Sequence, residues 1–217
     1  MRQGLRMDER AIRARLEEGA ASPGVPLTAG QADALMRYLA ELLRWNARVN
    51  LTSITDPIDC VVKHFLDSLS LAKLLPDTPF KVADIGSGAG FPGLVLKVVR
   101  PDMDLTLVEP ARKKGNFLKH IIRTLGLQGV QVYEGKVVQL AVDCPGSFDM
   151  ILSRAFKEPG ELLPLVGPLL RTGGVVAQSL GPGASAEPPA GWSALPPDDI
   201  TLPFSDYKRR LVLFEKM

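Results

Sequence analysis

The sequence predicts an α/β fold, a mostly parallel sheet preceded by a helical cap. Three observations carry that expectation. From residue 80 onward, short apolar runs alternate with segments of helical period, the pattern of parallel strands joined by crossover helices. The first of those runs, FKVADI, passes directly into a glycine-rich turn. Before residue 76, apolar residues recur at helical spacing around one irregular polar link. These features divide the chain into a cap, residues 1–77, and an α/β domain, residues 78–217.

Each element has a local reason. Residues 1–24 carry mixed charge and end at Ser-Pro-Gly, which predicts a loosely packed helix. Thr28 and Gln31 have capping-box spacing, and Leu35, Leu39 and Leu42 then share a helical face with Met36 and Leu43 beside it. Asp56 before Pro57 is a helix start, and that helix runs to about Leu75, burying Val61, Phe65 and Leu69. Strands follow at FKVADI, MDLTLVE, VQVYEG, SFDMILSRA and GVVAQSL. Helices fall at GLVLKVVR, ARKKGNFLKHIIRTLG and the proline-interrupted ELLPLVGPLLRTGG. Residues 181–197 are rich in Gly and Pro and read as a loop. DITLPFSDYKRRLVLFEK closes the chain as an antiparallel edge hairpin.

Composition narrows the function classes. The chain has 217 residues, 46% hydrophobic and 23% charged, which is ordinary globular usage. Cys60 and Cys144 are far apart and lack metal-type neighbours, so neither a disulfide scaffold nor a metal site is expected, and a reducing cytoplasm fits. No apolar run approaches the roughly 20 residues that span a bilayer, and the charged N-terminus lacks a signal-peptide core. The net charge of +2 does not itself argue for a polyanion. Its distribution says more: Arg112, Lys113, Lys114, Lys119 and Arg123 crowd one segment around His120, and Lys208, Arg209 and Arg210 form a second knot. Each run alone reads as solvated surface; convergence on one face would signal nucleic acid.

The glycine loop VADIGSGAGFPGL follows the first strand, where open α/β sheets bind ligands. Three readings compete. Gly88, Gly90 and Gly93 match a dinucleotide loop by count, but the glycines begin at Gly86 and the third position from there is Phe91. Asp84, Gly86, Gly88 and Gly90 match D-x-G-x-G-x-G, the loop of an S-adenosylmethionine site, where Asp84 would favour the sulfonium or ammonium of the methyl donor, directly or through water. A tight strand–helix turn is the third. Glu109 ends the second strand about 25 residues after Asp84, and its carboxylate can accept both ribose hydroxyls. That acid supports a nucleoside without choosing between cofactors.

Four segments then occur in one order: RWNARVNLTSITD, KHFLDSL, DIGSGAGFPGL and LSRAF. Together they closely resemble the bacterial glucose-inhibited division protein B family, the 16S ribosomal RNA guanine-N7 methyltransferases. The likeness runs from about residue 27 to the C-terminus. It implies a class I S-adenosylmethionine-dependent methyltransferase fold, with a seven-stranded, mostly parallel sheet and an antiparallel last strand. It implies S-adenosylmethionine as cofactor and small-subunit rRNA as partner. Apart from the resemblance, a cytoplasmic monomer is expected. By the same resemblance Gly86 and Phe91 contact the cofactor, the Val137–Val138 backbone lies beside adenine, and Arg154 reaches the site. Arg209 matches a basic position near the family's C-terminus. The chain departs from the family at Val138, where a Glu is usual, and at Leu180, where a Lys is usual.

Guanine N7 has a free lone pair and no proton at neutral pH, so no general base is expected. Arg154 is then a positioning residue that grips phosphate, cofactor carboxylate or base O6, or else an exposed strand-end Arg. Phe91 packs on the cofactor, stacks on a base, or fills the core. His64 reads as structural, and Asn50 and Asp67 resemble positions near the pocket mouth. Arg112, Lys113, Lys114, Lys119, Arg123, Arg209 and Arg210 are the expected RNA contacts. A cofactor-binding regulatory module, or a methyltransferase for a small molecule or protein, uses the same fold.

Overall fold

The computed structural model describes residues 2–217, with side chains from Glu9 onward. Of the expected first helix, Met1 and the side chains of residues 2–8 lie outside the described residues. The rest of that helix, α1 (Arg2–Ala21), is docked rather than loose, because Leu16 and Ala20 are buried in the core. α2 (Ala29–Val49) starts with the expected capping box: Gln31 N–H donates to Thr28 Oγ1, and the Gln31 side chain accepts from Thr28 N–H. Its buried face is Ala32, Leu35, Tyr38, Leu39 and Leu42.

Asp56 caps the next helical segment by accepting from Asp59 N–H. That segment is not regular. It passes from α3 (Pro57–Cys60) through a π-helical turn (Val61–Leu66) and α4 (Asp67–Leu69) into a 3-10 turn (Ser70–Leu74). A π turn misaligns carbonyls that a regular helix would pair, and such turns collect at functional sites.

The α/β domain then alternates: β1 (Lys81–Ile85), α5 (Gly93–Val99), β2 (Asp104–Val108), α6 (Arg112–Leu125), β3 (Val130–Tyr133), α7 (Val137–Asp143), β4 (Phe148–Arg154), α8 (Pro159–Val166), β5 (Leu170–Leu180). Three strands close it: β6 (Trp192–Ala194), β7 (Asp198–Thr201) and β8 (Lys208–Lys216). The sheet order is β3-β2-β1-β4-β5-β8-β6, with β7 also paired to β8. β1 to β5 are parallel, and β8 runs antiparallel beside β5. β7 pairs with the start of β8 and β6 with its end, so two short strands share the outer edge.

Alternation along the strands sends side chains to two cores. Val82, Leu105, Leu107, Met150 and Leu152 face α1, α2, the broken helix, α5 and α6 in one continuous core. Ala83, Ile85, Val108, Ile151 and Val176 face α7 and α8 in the other. Cap and sheet therefore share buried surface.

Three local readings change. α8 ends at Val166 and turns through a 3-10 segment, Gly167–Leu169, so Leu170 already pairs with Phe148; the glycine pair sits in a register shift inside β5, not at a helix end. α7 fills the stretch after β3, where no element was expected. Trp192–Ala194 forms a strand inside the Gly/Pro-rich loop because Trp192 is buried against the second core.

The capping box gives a direct check. Thr28→Ala should lower stability by about 1 kcal/mol in urea denaturation; an unchanged midpoint would show that the cap is dispensable in this helix.

Candidate active site

The loop after β1 is shaped by its glycines and by two carboxylates beneath it. Gly86, Gly88 and Gly90 all have positive φ, at 72°, 59° and 92°. Side chains rarely adopt that backbone, so the loop needs glycine there. Glu109, 5% exposed just past the end of β2, ties the loop to the next helix: Oε2 accepts Gly88 N–H at 2.9 Å and Oε1 accepts Ala111 N–H at 2.8 Å. Each oxygen keeps a further lone pair.

Asp84 is fully buried, and Oδ2 accepts Gly93 N–H, at the start of α5, at 3.0 Å. Oδ1 has no hydrogen-bond partner. Burial pushes its pKa up to about 7, against the pull of the Gly93 N–H and of Arg154. The carboxylate thus acts from beneath the loop, out of direct reach of the cleft.

Phe91 is core. Its ring stacks on Tyr38 (5.4 Å, 4°) and on His64 (4.7 Å, 16°), and Phe65 meets it edge-on at 5.3 Å. Both faces are taken, so the option that a target base stacks on it is closed. The Tyr38 hydroxyl donates to Ala89 O and so pins the glycine loop to α2. His64 accepts from Arg154 Nη2 through Nδ1 (3.3 Å), and its Nε2 meets Thr52 Oγ1 at 2.8 Å. Burial, then the Arg154 charge, pushes its pKa down to about 3, so it stays neutral and structural. Asn50 ends α2 in the left-handed conformation, φ 52°.

Arg154, at the end of β4, is drawn into the cap. Nη1 donates to Lys63 O in the π turn at 2.9 Å and to Asp67 Oδ2 at 3.0 Å. Arg209 Nε reaches both Asp67 oxygens at 3.1 Å. Asp67 is 0% exposed and thus pairs two cations, leaving one net positive charge at the surface of the trio. The importance of Asp67 was not legible in sequence, because its partners lie 87 and 142 residues away.

Two clefts open beyond the C-terminal ends of the strands. One is apolar, about 210 Å3, and lined by Ile85, Gly86, Val108, Val137, Val138 and Phe156 among others. The second, about 440 Å3, is lined by Asp67, Arg154, Lys157, Gln178, Ser179 and Arg209 among others. A groove of about 730 Å3 between α1 and α2 is far from the strand ends, and its Arg13 is already paired with Glu17 and Asp33.

A loop of positive-φ glycines, an acid past the second strand and a basic cleft at β4 and β8 place this chain beside known proteins. The family model described as rRNA small subunit methyltransferase G matches residues 31–187. The chain belongs to that family. Relatives named Ribosomal RNA small subunit methyltransferase G include one from Stenotrophomonas maltophilia (strain K279a), 38% identical over 93% of this chain and 94% of its own. Another, from Roseiflexus castenholzii, is 45% identical over 71% of this chain and 67% of its own. Among solved structures, a SAM dependent methyltransferase from Aquifex aeolicus has the same fold, with TM-score 0.56 and 17% identity over 76% of this chain and 96% of that one. A predicted O-methyltransferase from Agrobacterium tumefaciens gives TM-score 0.55 and 21% identity over 69% and 80%.

The methyltransferase G fold separates the expected basic residues. Arg112, Lys113, Lys119 and Arg123 are exposed on α6, with Lys114 half-buried, and Lys119 pairs with Glu134. α6 joins β2 to β3 at one end of the sheet, whereas Arg209 stands on β8 toward the other. Adjacent strand residues face opposite ways, so Arg210 leaves the cleft. It binds Asp199 through Nε and Nη2 at 2.8 Å each, and Ala184 O at 3.1 Å. The second basic knot is therefore not one patch. No helix among the described residues is long and apolar enough to cross a membrane.

Asp84 carries a pH signature. Its folded pKa lies above the ordinary carboxylate value, so the folded state binds the extra proton and stability falls as pH rises from about 4 toward 7. Asp84→Asn keeps an acceptor for Gly93 N–H and removes the buried charge. The variant should melt higher than the parent at pH 8, with the gap shrinking at pH 5, by calorimetry. An equal shift at both pH values would contradict a charged Asp84.

Proposed function

We propose that the chain transfers a methyl group from S-adenosylmethionine to N7 of a guanine in small-subunit ribosomal RNA. The observation that carries this reading is the adjacency of two unlike clefts at the same strand ends, one apolar beside Glu109, the other basic with Arg154 and Arg209.

The apolar cleft suits an adenosine. Val137 and Val138 give it apolar walls, and the free lone pairs of Glu109 can accept ribose hydroxyls while still holding Gly88 and Ala111. The unpartnered Asp84 Oδ1 suits a cationic ligand, since a positive charge over the loop offsets the cost of a buried carboxylate. When bound, S-adenosylmethionine supplies an electrophilic methyl group on a positively charged sulfur.

The chain's own part is positioning. The N7 lone pair forms the new bond to carbon, the carbon–sulfur pair stays on sulfur, and no proton moves. Neutral His64 and buried Asp84 then need no acid–base role, and neither does a metal, because N7 is already a nucleophile. Arg154 and Arg209, fixed by Asp67, offer their remaining N–H groups and one net charge to an RNA phosphate or base O6. Exposed Arg112, Lys113, Lys119 and Arg123 on α6, with Lys114, extend phosphate contacts away from the reacting base, while Arg210, tied to Asp199, adds little. A cytoplasmic location, where ribosomal subunits are made, fits the same reading, and the expected monomer is kept with it as part of the proposal.

The test is transfer of labelled methyl from S-adenosylmethionine to unmethylated small ribosomal subunits, followed by cleavage at N7-methylguanine. One labelled guanine is expected. Arg154→Ala should lower the rate on the order of a hundredfold with an unchanged circular dichroism spectrum. Label at another atom, or full turnover by that variant, would overturn the assignment it concerns.

A further inference from the structure

The two clefts meet at one short turn. Phe156 and Lys157 line both the apolar and the basic cleft; among the described residues that line them, no others do. Lys157 is turned to Glu161, with its Nζ bonded to Oε2 at 2.5 Å. Phe156 is left as the side chain at the junction.

Its placement is built. Ala155, just before it, has φ 51°, a left-handed backbone that an L side chain adopts only at a cost. That turn lays the Phe156 ring on the glycine loop: a Cβ added at Gly86 would sit 2.6 Å from Phe156 Cδ2. The ring is backed by glycine backbone, yet the residue remains 40% exposed. Single exposed apolar side chains are common, but this one is held by a strained turn above a glycine that has room for it.

We propose that Phe156 is the residue on which the target guanine stacks. The inference rests on the RNA methyltransferase reading above. A reacting base must lie against the donor in the apolar cleft while its own phosphates lie in the basic one. Only the junction satisfies both demands, and the junction offers an aromatic face. Phe91, the aromatic within the loop, has both faces covered, and Tyr38 beside it is 0% exposed.

The chemistry favours a ring there over a cation. Methylation at N7 leaves the purine positively charged, and an aromatic face attracts a cation through its quadrupole. The contact therefore strengthens toward the product, which lowers the barrier rather than only improving binding. Arg154 and Arg209, both tied to Asp67, can then hold RNA without pressing charge on the reacting ring.

The experiment compares the parent with Phe156→Leu, Phe156→Trp and Phe156→Ala on small ribosomal subunits. It also measures the dissociation constant of S-adenosylhomocysteine by calorimetry. Leu keeps apolar bulk over Gly86 and removes the π face, so it guards against a merely collapsed loop. Stacking on this scale is worth on the order of 10- to 100-fold. The Leu variant should lose about that much in kcat, Ala at least as much, and Trp should retain most of it, while S-adenosylhomocysteine binds the Leu variant within about threefold of the parent. A Leu variant with parental kcat would overturn the proposal. So would a loss of S-adenosylhomocysteine affinity matching the loss of rate, which would assign the ring to the donor. Failure of the parent itself to methylate subunits would sink the RNA reading instead.

Discussion

A single buried carboxylate, Asp67, organises the site. It is 0% exposed, and a charge so placed is tolerated only with opposite charge and hydrogen bonds around it. Arg154 from β4 and Arg209 from β8 supply both. The pairing fixes three elements that are remote in sequence: the cap after its π turn, the central parallel sheet, and the antiparallel strand. Lys63 O, within the π turn, accepts a further hydrogen bond from Arg154, so the turn itself is tied to β4. What faces the cleft is a pair of guanidinium groups already ordered and already half neutralised.

A second constraint runs beneath the loop. The Tyr38–Phe91–His64 stack joins α2, the glycine loop and the broken helix into one rigid wall, and Glu109 and Asp84 hold the same loop from the strand side. Positioning is the kind of catalysis a proton-free methyl transfer asks for, and both constraints serve it. Asp84 shows the cost: with one oxygen unpartnered and its pKa raised by burial, ionising it weakens the fold.

Much of this was legible from sequence where the signal is local. The parallel strands announced themselves as apolar runs, the capping box and the Asp56–Pro57 start were correct, and the glycine register marked the loop that Glu109 holds beside the apolar cleft. The errors share a cause: they occur where tertiary contacts override local pattern. β6 forms in a Gly/Pro-rich stretch because Trp192 finds the second core, and β5 starts early because Leu170 pairs with Phe148. Phe91 had three readings open, and Tyr38 and His64 on its two faces close the one in which a base stacks on it. Asp67 and Phe156 lie inside two of the recognisable segments, KHFLDSL and LSRAF, but what each does depends on partners brought by the fold. Arg210 parts from Arg209 for the opposite reason, a neighbour in sequence that strand alternation turns toward Asp199.

The most direct test of this account is a double-mutant cycle on methylation rate with Asp67→Asn, Arg154→Ala and the pair together, at saturating donor. If Asp67 works by holding Arg154, the double variant should be no slower than the slower single variant, within about threefold, because coupled residues are not additive. Losses that multiply would mean that the two act independently, and would contradict Asp67 as the organising residue of the site.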